Sequence, residues 1–299
     1  MNNKIVNGLI RSLLLLIISL PCIATTPLQV KYSASTDAYF NKRDEYFVEL
    51  LELAIKKSNA NITLVPVKIA DHVDTRDVIN LNKGIIDIHW MHTSNQLESK
   101  LIPIRIPLDK GLFGWRVMLL DKSNQHMLQN VKNISDLKQY SMVQGYDWPD
   151  TSILVASGFK VETSSSFRGR FRMLKHKRGD LFPRSILEVW AEMEEQRNSE
   201  IVVDPYILLY YPTAYYFFVA GKNHELQKAI ETGLQLTIDD GSFNELFQKY
   251  YGEVIKKSKL DSRRIIAIPN PGLPPTTPSH KKELWFSLDD YAAPRNKII

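Results

Sequence analysis

Cysteine, long apolar runs and the commonest enzyme motifs are scarce or missing in this sequence. The 299 residues include one cysteine, so a disulfide framework and a cysteine-based zinc site are both excluded. The chain contains no P-loop, no G-x-G-x-x-G loop, no H-E-x-x-H helix and no G-x-S-x-G turn, which mark several large enzyme classes. A formal net charge of +5 is too small to indicate nucleic-acid binding. These absences favour a binding protein over an enzyme.

A continuous aliphatic run lies near the N-terminus, at residues 13–18. Lys4 and Arg11 precede it, and small residues follow it up to Ala24. A basic start, a short apolar stretch and small residues predict a cleavable signal peptide over residues 1–24, because a membrane-spanning helix needs about 20 apolar residues. Pro21 directly before Cys22 fits poorly with lipid attachment to that cysteine. Cleavage removes two basic residues and the cysteine, which leaves a net charge of +3 and an exported protein without thiols.

Strand and helix patterns alternate through the rest of the chain. Residues 28–34 alternate in polarity, and residues 44–57 carry apolar side chains at helical spacing. Such alternation predicts an α/β protein with mostly parallel sheets flanked by helices, and the length allows two lobes. Further strands are expected at 61–67, 84–90, 115–120, 141–143, 159–161, 201–203 and 215–219. Further helices are expected from Pro149 and at 167–175, 185–197, 224–236 and 242–251.

The C-terminal extension, residues 256–299, differs from the rest in composition. Its last 35 residues contain six of the 15 prolines, which exclude a regular helix through the first half. The same stretch carries Leu284, Trp285 and Phe286, which a solvated linker does not need. We expect an extended strap packed on the lobes, with a frayed tail as the alternative.

Three stretches of this sequence resemble the extracellular solute-binding proteins of the amino-acid class, known as family 3. The first runs from Ile134-Ser135-Asp136-Leu137 through Gly145 and Trp148-Pro149-Asp150 to Gly158. The second is Met173-Leu174 followed by Arg178-Gly179-Asp180. The third runs from Leu226 through Asp240-Gly241-Ser242 to Lys249-Tyr250-Tyr251. The tail around Asn270-Pro271-Gly272 and Glu283-Leu284-Trp285 is similar to one bacterial branch of that family.

The resemblance implies a two-lobed, type II periplasmic-binding-protein-like fold with two hinge crossings and a ligand in the cleft. Lobe 1 would comprise residues 25–113 and 214–255, and lobe 2 residues 114–213. The implied function is capture of a solute in the periplasm for an ABC-type permease or a sensor. We expect a monomer with no cofactor, no metal and no nucleic-acid partner. A periplasmic enzyme acting on cell-wall material, or a ligand sensor without a transport role, is the alternative.

The residues that would identify an α-amino-acid ligand are missing. Amino-acid binders of this family place an arginine shortly after the threonine that ends the third strand region, but no arginine occurs from Thr93 to Glu98. The acidic residue expected in the second lobe is replaced by Arg184 and Ser185. The resemblance therefore implies a small polar ligand, anionic or zwitterionic, without naming it.

Candidate ligand-binding residues follow the predicted strands, because ligands of open α/β sheets lie beyond the carboxyl ends of the strands. Capping, loop packing and core roles are the competing explanations for all of them. His89 and His92 are three residues apart on a predicted strand, which points them to opposite faces and argues against a metal site. The candidates are Ser33, Tyr39, Trp90, Thr93, Ser94, Arg116, Asp147, Trp148 and Arg184.

Arg184 is the strongest single candidate for binding an anionic group. Its planar guanidinium offers five donors to a carboxylate, although an internal ion pair with Glu188, one helical turn away, competes with that role. If the binding role is correct, Arg184→Ala abolishes ligand binding and changes stability by less than about 1 kcal/mol. The basic residues from Arg168 to Arg178, including Arg170, are interpreted as a solvated helix face, with attraction for anionic ligands or lipid headgroups as the alternative.

Overall fold

The computed structural model describes residues 26–69, 74–196 and 200–289. The predicted signal peptide and its cleavage site at Ala24 lie outside the described residues. Within the described ranges no helix is both long and apolar enough to cross a membrane.

Strands and helices alternate as the sequence predicts. The strands are β1 (Leu28–Ser35), β2 (Ile62–Ile69), β3 (Ile88–His92), β4 (Leu101–Ile104), β5 (Trp115–Asp121), β6 (Met142–Gly145), β7 (Val161–Ser164), β8 (Phe182–Ser185), β9 (Ile201–Tyr210), β10 (Tyr215–Ala220) and β11 (Arg264–Ala267). The helices are α1 (Ala38–Ser58), α2 (Asp74–Asn82), α3 (Asn95–Glu98), α4 (Ile134–Leu137), α5 (Pro149–Ala156), α6 (Phe167–Lys175), α7 (Val189–Glu195), α8 (His224–Asp239) and α9 (Ser242–Lys257).

Two separate sheets define the two lobes. Lobe 1 contains the five-stranded sheet β2-β1-β3-β10-β4, in which β10 alone runs against the other strands. Lobe 2 contains the four-stranded sheet β11-β9-β5-β8, in which β5 alone runs against the others. The parallel pair β6-β7 joins lobe 2 through a bridge between Met142 and Leu181. The predicted fold class, two lobes with mostly parallel sheets, is confirmed.

Helix α1 forms the main helical layer of lobe 1. Its first turn is capped by the Asp37 side chain, and its last turn ends at Asn59 in the left-handed conformation, so both ends have their backbone groups satisfied. Phe47 and Leu50 are fully buried on one face, as the helical spacing requires. Helix α8 approaches so closely that a Cβ on Gly233 would lie 1.9 Å from the carbonyl oxygen of Ala54.

Several predicted elements differ from the observed ones. The third strand begins at Ile88 rather than at residue 84, because residues 84–86 belong to the turn after α2, where Ile85 N–H bonds to the carbonyl of Asn80. The predicted helix at 185–197 is wrong at its start, since Ser185 ends strand β8 and α7 begins at Val189. Helix α2 and strands β4 and β8 were not predicted at all.

The chain passes between the lobes at two neighbouring segments, residues 109–114 and 211–214, and passes again from α9 of lobe 1 to β11 of lobe 2. Gly114 accepts the Tyr211 N–H at 3.1 Å, and a Cβ at Gly114 would lie 2.0 Å from the Tyr211 carbonyl oxygen. Asp109 holds the first crossing by accepting the N–H of Phe113 at 2.7 Å. The first two crossings therefore lie against each other as a double connection, an arrangement suited to hinge motion between lobes.

Residues 264–289 form a strap that lies across both crossings. Strand β11 pairs with the last residues of β9, and Asn270 donates to the Pro212 carbonyl at 2.9 Å. The ring of Trp285 lies 2.6 Å from the position of a Cβ on Gly111, and the Phe286 N–H bonds to the Lys110 carbonyl at 2.9 Å. The apolar residues of the tail are thus packed against the hinge.

Candidate functional site

A cavity of about 270 Å³ lies between the two lobes. Lobe 1 supplies the N-terminal turns of α1 and the end of β3, and lobe 2 supplies the loop before α5, helix α6 and the segment from β8 to α7. The lining residues are Tyr39, Phe40, Arg43, Asp77, His89, Trp90, His92, Phe113, Arg116, Asp147, Trp148, Pro149, Asp150, Ser165, Phe167, Arg170, Arg184, Glu188, Glu192 and Tyr215. The cavity therefore combines aromatic walls with charges of both signs.

Helix α1 brings lobe 1 into contact with lobe 2 across the cavity. Asp37 accepts the Tyr39 N–H at 2.8 Å and so fixes the first turn of α1. The Tyr39 hydroxyl donates to Glu192 Oε1 at 3.4 Å, and the rings of Tyr39 and Phe167 are stacked with centroids 6.2 Å apart. These contacts join the rims of the two lobes, so the cavity lies behind a closed edge.

Arg184 lies in the cavity wall, but its guanidinium is already paired. Its Nε donates to Glu192 Oε2 at 2.8 Å, its Nη2 contacts Glu192 Oε1, and the same Nη2 lies 3.0 Å from Glu188 Oε2. Burial alone lowers the pKa of Arg184, but the carboxylates of Glu188 and Glu192 outweigh burial and raise it. The competing explanation, an internal ion pair, describes what the structure shows.

The pairing of Arg184 also corrects the expected effect of its removal on stability. Arg184 is 3% exposed and Glu192 is 1% exposed. Loss of the guanidinium leaves a buried carboxylate without its partner, which costs far more than about 1 kcal/mol. Arg184→Ala is therefore not a mild substitution.

Arg116 forms the second buried ion pair of the cavity wall. Its Nη2 lies 2.6 Å from Asp150 Oδ1, and the Tyr211 hydroxyl donates to the same oxygen. Burial opposes ionisation of Asp150, but the guanidinium of Arg116 outweighs it and lowers the Asp150 pKa. Asp150 therefore holds Arg116 in place and does not cap α5. The helix begins at Pro149, and Trp148 at its N-cap position makes no side-chain capping bond.

Arg43 reaches from α1 toward the same acidic residues. Its Nε bonds to Asp44 Oδ1 at 2.9 Å, and its Nη1 lies 4.0 Å from Glu188 Oε1. Glu188 thus lies among the guanidiniums of Arg43, Arg116 and Arg184. Three of the four cavity arginines and the carboxylates around them form one continuous network between the lobes.

Arg170 differs from the other three cavity arginines. Its Nη2 donates to the Ser164 carbonyl at 3.1 Å, and its guanidinium carbon lies 4.0 Å from the ring centroid of Trp148. Over the described ranges no ion pair holds it, and its buried Nε, like that of Arg116, has no hydrogen-bond acceptor there. Arg170 is nevertheless only 3% exposed.

His92 lies at the end of β3 beside the hinge. Its Nδ1 is 3.3 Å from the Thr213 hydroxyl, and its ring packs against Phe113 and Tyr215. Burial lowers the pKa of His92 to about 4, so the imidazole is neutral at physiological pH. His89 also lines the cavity but lies 3.5 Å from Asp77 of α2, on the face of β3 opposite His92, as expected for residues three apart on a strand.

Six of the nine predicted ligand-binding residues line this cavity: Tyr39, Trp90, Arg116, Asp147, Trp148 and Arg184. Ser33, Thr93 and Ser94 do not. Ser33 is a buried residue of β1 and lines a separate groove along α1. The Thr93 hydroxyl donates to Glu98 at 2.6 Å, and the Ser94 hydroxyl accepts the Leu97 N–H as the cap of α3. The two hydroxyls serve the local loop, which is the alternative role for such residues.

Sequence reasoning missed Arg43, Glu192 and Arg170 as cavity residues. Arg170 was interpreted as part of a solvated basic face, yet it lies three residues after Phe167 and four before Leu174. Those positions share one face of a helix, and that face is buried, whereas Arg168 and Arg172 are exposed. An arginine on the apolar face of a helix is therefore the signal that could have found it.

No family model matches the chain, and no curated protein matches it significantly. Solved structures do share its fold. The probable amino-acid ABC transporter extracellular-binding protein ytmK from Bacillus subtilis is 16% identical, with 76% of this chain and 99% of that chain covered at a TM-score of 0.57. An ancestral arginine-binding protein bound to arginine is 18% identical, with 76% and 99% covered at a TM-score of 0.54.

A third structure with this fold is a histidine kinase sensor domain similar to periplasmic binding proteins. It is 13% identical, with 76% of this chain and 96% of that chain covered at a TM-score of 0.52. All three neighbours are matched over almost their whole length, while about a quarter of this chain lies outside each match. The chain therefore has the two-lobed fold of the type II periplasmic binding proteins.

Proposed function

We propose that this protein captures a small polar solute in the cavity between its lobes and closes on it by hinge motion. The observation that carries the proposal is the cavity of about 270 Å³ that both lobes line, next to the double hinge connection. Charged and aromatic groups from two lobes that can move apart suit a ligand that enters by opening and is held by closure.

The charges of the cavity favour a zwitterion over a simple anion. Four arginines and five carboxylates line it, so the wall is nearly balanced in charge. An anion in this cavity is repelled by the carboxylates about as much as it is attracted by the arginines, unless one arginine is unpaired. A zwitterion can place its negative group near an arginine and its positive group near a carboxylate. Asp147 is exposed at the cavity and has no ion pair over the described ranges, so it is suited to contact the positive group.

The ionisable groups support binding without catalysis. A general acid or base needs a pKa close to the working pH. The pKa of Asp150 is lowered by Arg116 against the effect of burial, and burial keeps His92 neutral with a pKa of about 4. Glu192 is held in two contacts with Arg184. Asp150 and His92 therefore have protonation states that do not change near neutral pH, and Glu192 has a fixed partner.

The expected setting is outside the cytoplasm, with a membrane permease or a sensor as the partner. The predicted signal peptide supports export, and the structural neighbours include both an ABC transporter binding protein and a kinase sensor domain. A permease encoded beside the gene would favour transport over sensing.

A ligand screen on the purified protein tests the proposal. The probes are the twenty common amino acids, their N-acetyl derivatives, which keep only the carboxylate, and their amides, which keep only the ammonium. We expect at least one zwitterion to raise the melting temperature, because a ligand that binds only the folded state stabilises it by mass action. Calorimetry on that probe should give binding heat without turnover.

A blocked-cavity variant provides the control. Ser165 lines the cavity, so Ser165→Trp should abolish the shift by filling it, while Ser135→Trp on exposed α4 should keep it. Binding that survives in Ser165→Trp places the ligand elsewhere and contradicts the proposal. A melting temperature that no probe changes also contradicts it for this ligand class.

A further inference from the structure

We propose that Arg170, and not Arg184, receives the negative group of the ligand, and that this group is a carboxylate. The inference rests on the proposed function and names the residue and the ligand chemistry within the same cavity. It follows from a comparison of the four cavity arginines, of which three are already neutralised by the protein.

Each of the other three arginines already contacts a carboxylate of the protein. Arg184 makes two contacts with Glu192, Arg116 pairs with Asp150, and Arg43 pairs with Asp44. A ligand carboxylate could bind one of them only by displacing a carboxylate that is covalently part of the wall. Because the buried pairs of Arg184 and Arg116 are costly to break, these two arginines act as wall and not as receptor, while Arg43 is held by Asp44 and lies 4.0 Å from Glu188.

Arg170 is held firmly without being neutralised. Its guanidinium lies over Trp148 at 4.0 Å and near Phe167 at 5.9 Å, and Nη2 donates to the Ser164 carbonyl. A guanidinium stacked on a ring keeps its N–H donors at the edge. A backbone carbonyl and two rings fix its position but supply no negative charge, so those edge donors are available to an anionic group.

The fold presents this residue to the cavity. The Ser166 hydroxyl accepts the Gly169 N–H at 3.1 Å and caps α6, and Phe171 and Leu174 anchor the helix in the core. Arg170 therefore sits on a fixed turn of helix with its charged end among the lining residues. Little conformational entropy is lost when a ligand binds to a side chain already held in place.

Electrostatics agree with this assignment. Burial and the neighbouring charge of Arg184 outweigh the attraction of Asp147 and Glu192 and lower the pKa of Arg170 to about 10, so the positive charge is held in an unfavourable environment. A bound carboxylate relieves both effects. One cation without a contacting counter-ion matches one negative charge, which favours a carboxylate over a doubly charged phosphate in this nearly balanced wall.

The test uses calorimetry on the full chain with the carboxylate-bearing probe that most stabilises the wild type. Arg170→Gln should weaken its binding by about 10- to 100-fold, the range for one charge-assisted hydrogen-bonded contact. Arg170→Lys should lie between Gln and wild type, because it keeps the charge but loses the planar edge. Arg172→Gln, on the exposed side of the same helix, is the matched control and should stay within twofold.

A second readout separates this role from a structural one. Urea unfolding of the unliganded protein should change little in Arg170→Gln, because no carboxylate loses its partner. For a bound zwitterion, the amide that lacks the carboxylate should bind wild type and Arg170→Gln with similar affinity.

Two results overturn the inference while the proposed function stands. One is a carboxylate probe that binds Arg170→Gln within threefold of wild type. The other is a wild type that binds amides as tightly as carboxylates in the cavity that Ser165→Trp blocks. If no carboxylate probe binds the wild type, the inference is wrong. If no probe of any kind binds the wild type, the proposed function is wrong as well.

Discussion

Arg184→Met is expected to destabilise the protein strongly, even though sequence reasoning assigns Arg184 to ligand binding. The substitution keeps most of the side-chain volume and removes the charge. Glu192, which is 1% exposed, then retains only the Tyr39 hydroxyl at 3.4 Å. Glu188 loses its closest cation as well, because its remaining partners are Arg116 at 3.8 Å and Arg43 at 4.0 Å.

Removing one partner of a buried ion pair costs about 3–5 kcal/mol, since the remaining charge stays desolvated. Removing both partners costs much less, because the desolvated carboxylate disappears with its cation. The double variant Arg184→Met/Glu192→Leu should therefore be more stable than Arg184→Met alone. We expect a coupling free energy of about 2 kcal/mol between the two sites.

Urea unfolding followed by circular dichroism at pH 7 measures these free energies for both single variants and the double variant. Arg172→Met, a charge removal at an exposed position, is the control and should stay within about 0.5 kcal/mol of wild type. A cost below about 1 kcal/mol for Arg184→Met, or additive effects in the double variant, would refute the reasoning that the pair is structural.

Three further substitutions test the packing and the hinge. Gly233→Ala should lower the free energy of unfolding by about 2 kcal/mol in the urea assay, because the new Cβ would lie 1.9 Å from a carbonyl oxygen of α1. Gly252→Ala is the control and should not destabilise the protein, because its Cβ would meet only a flexible side chain at 3.0 Å. The pKa of His92 is about 4 in the folded protein and about 6.5 in the unfolded chain. Between these pH values the unfolded chain binds a proton at His92 and the folded protein does not. Wild type should therefore gain stability over His92→Asn, by up to about 3 kcal/mol, as pH rises from 4 to 6.5, and an unchanged difference between those pH values would contradict this account. Trp285→Ala should lower the free energy of unfolding by about 2 kcal/mol and make the strap sensitive to trypsin, because the Trp285 ring packs against Gly111. A strap that stays resistant to trypsin would mean that this contact does not keep the strap in place.

Elements with regular apolar spacing were predicted well. Phe47 and Leu50 lie on the buried face of α1, where their spacing places them, and α6 spans Phe167–Lys175 as expected. Strand β8 was missed because Phe182-Pro183-Arg184-Ser185 looks unlike a strand, yet all four residues are buried. Its burial comes from pairing with β5, a segment more than 60 residues earlier in the chain.

The candidate site was predicted in location but not in detail. Tyr39, Trp148 and Arg184 line the cavity because strand ends and helix starts converge there in this fold. Thr93 and Ser94 were predicted for the same reason, but their hydroxyls bond within their own loop. Hydroxyls after a strand have both options, and local sequence does not decide between them.

The sequence by itself determined most of the helices and strands and the α/β class, because periodicity and turn residues act over a few neighbouring positions, and the two-lobed arrangement followed from the resemblance to a family. Only the tertiary structure decided the chemistry of the cavity. Arg116 and Asp150 are 34 residues apart, and Arg184 meets Glu192 through the turn between β8 and α7. An arginine is neutralised only if folding brings a carboxylate within about 4 Å of its guanidinium. The spacing of residues along the chain does not predict that distance.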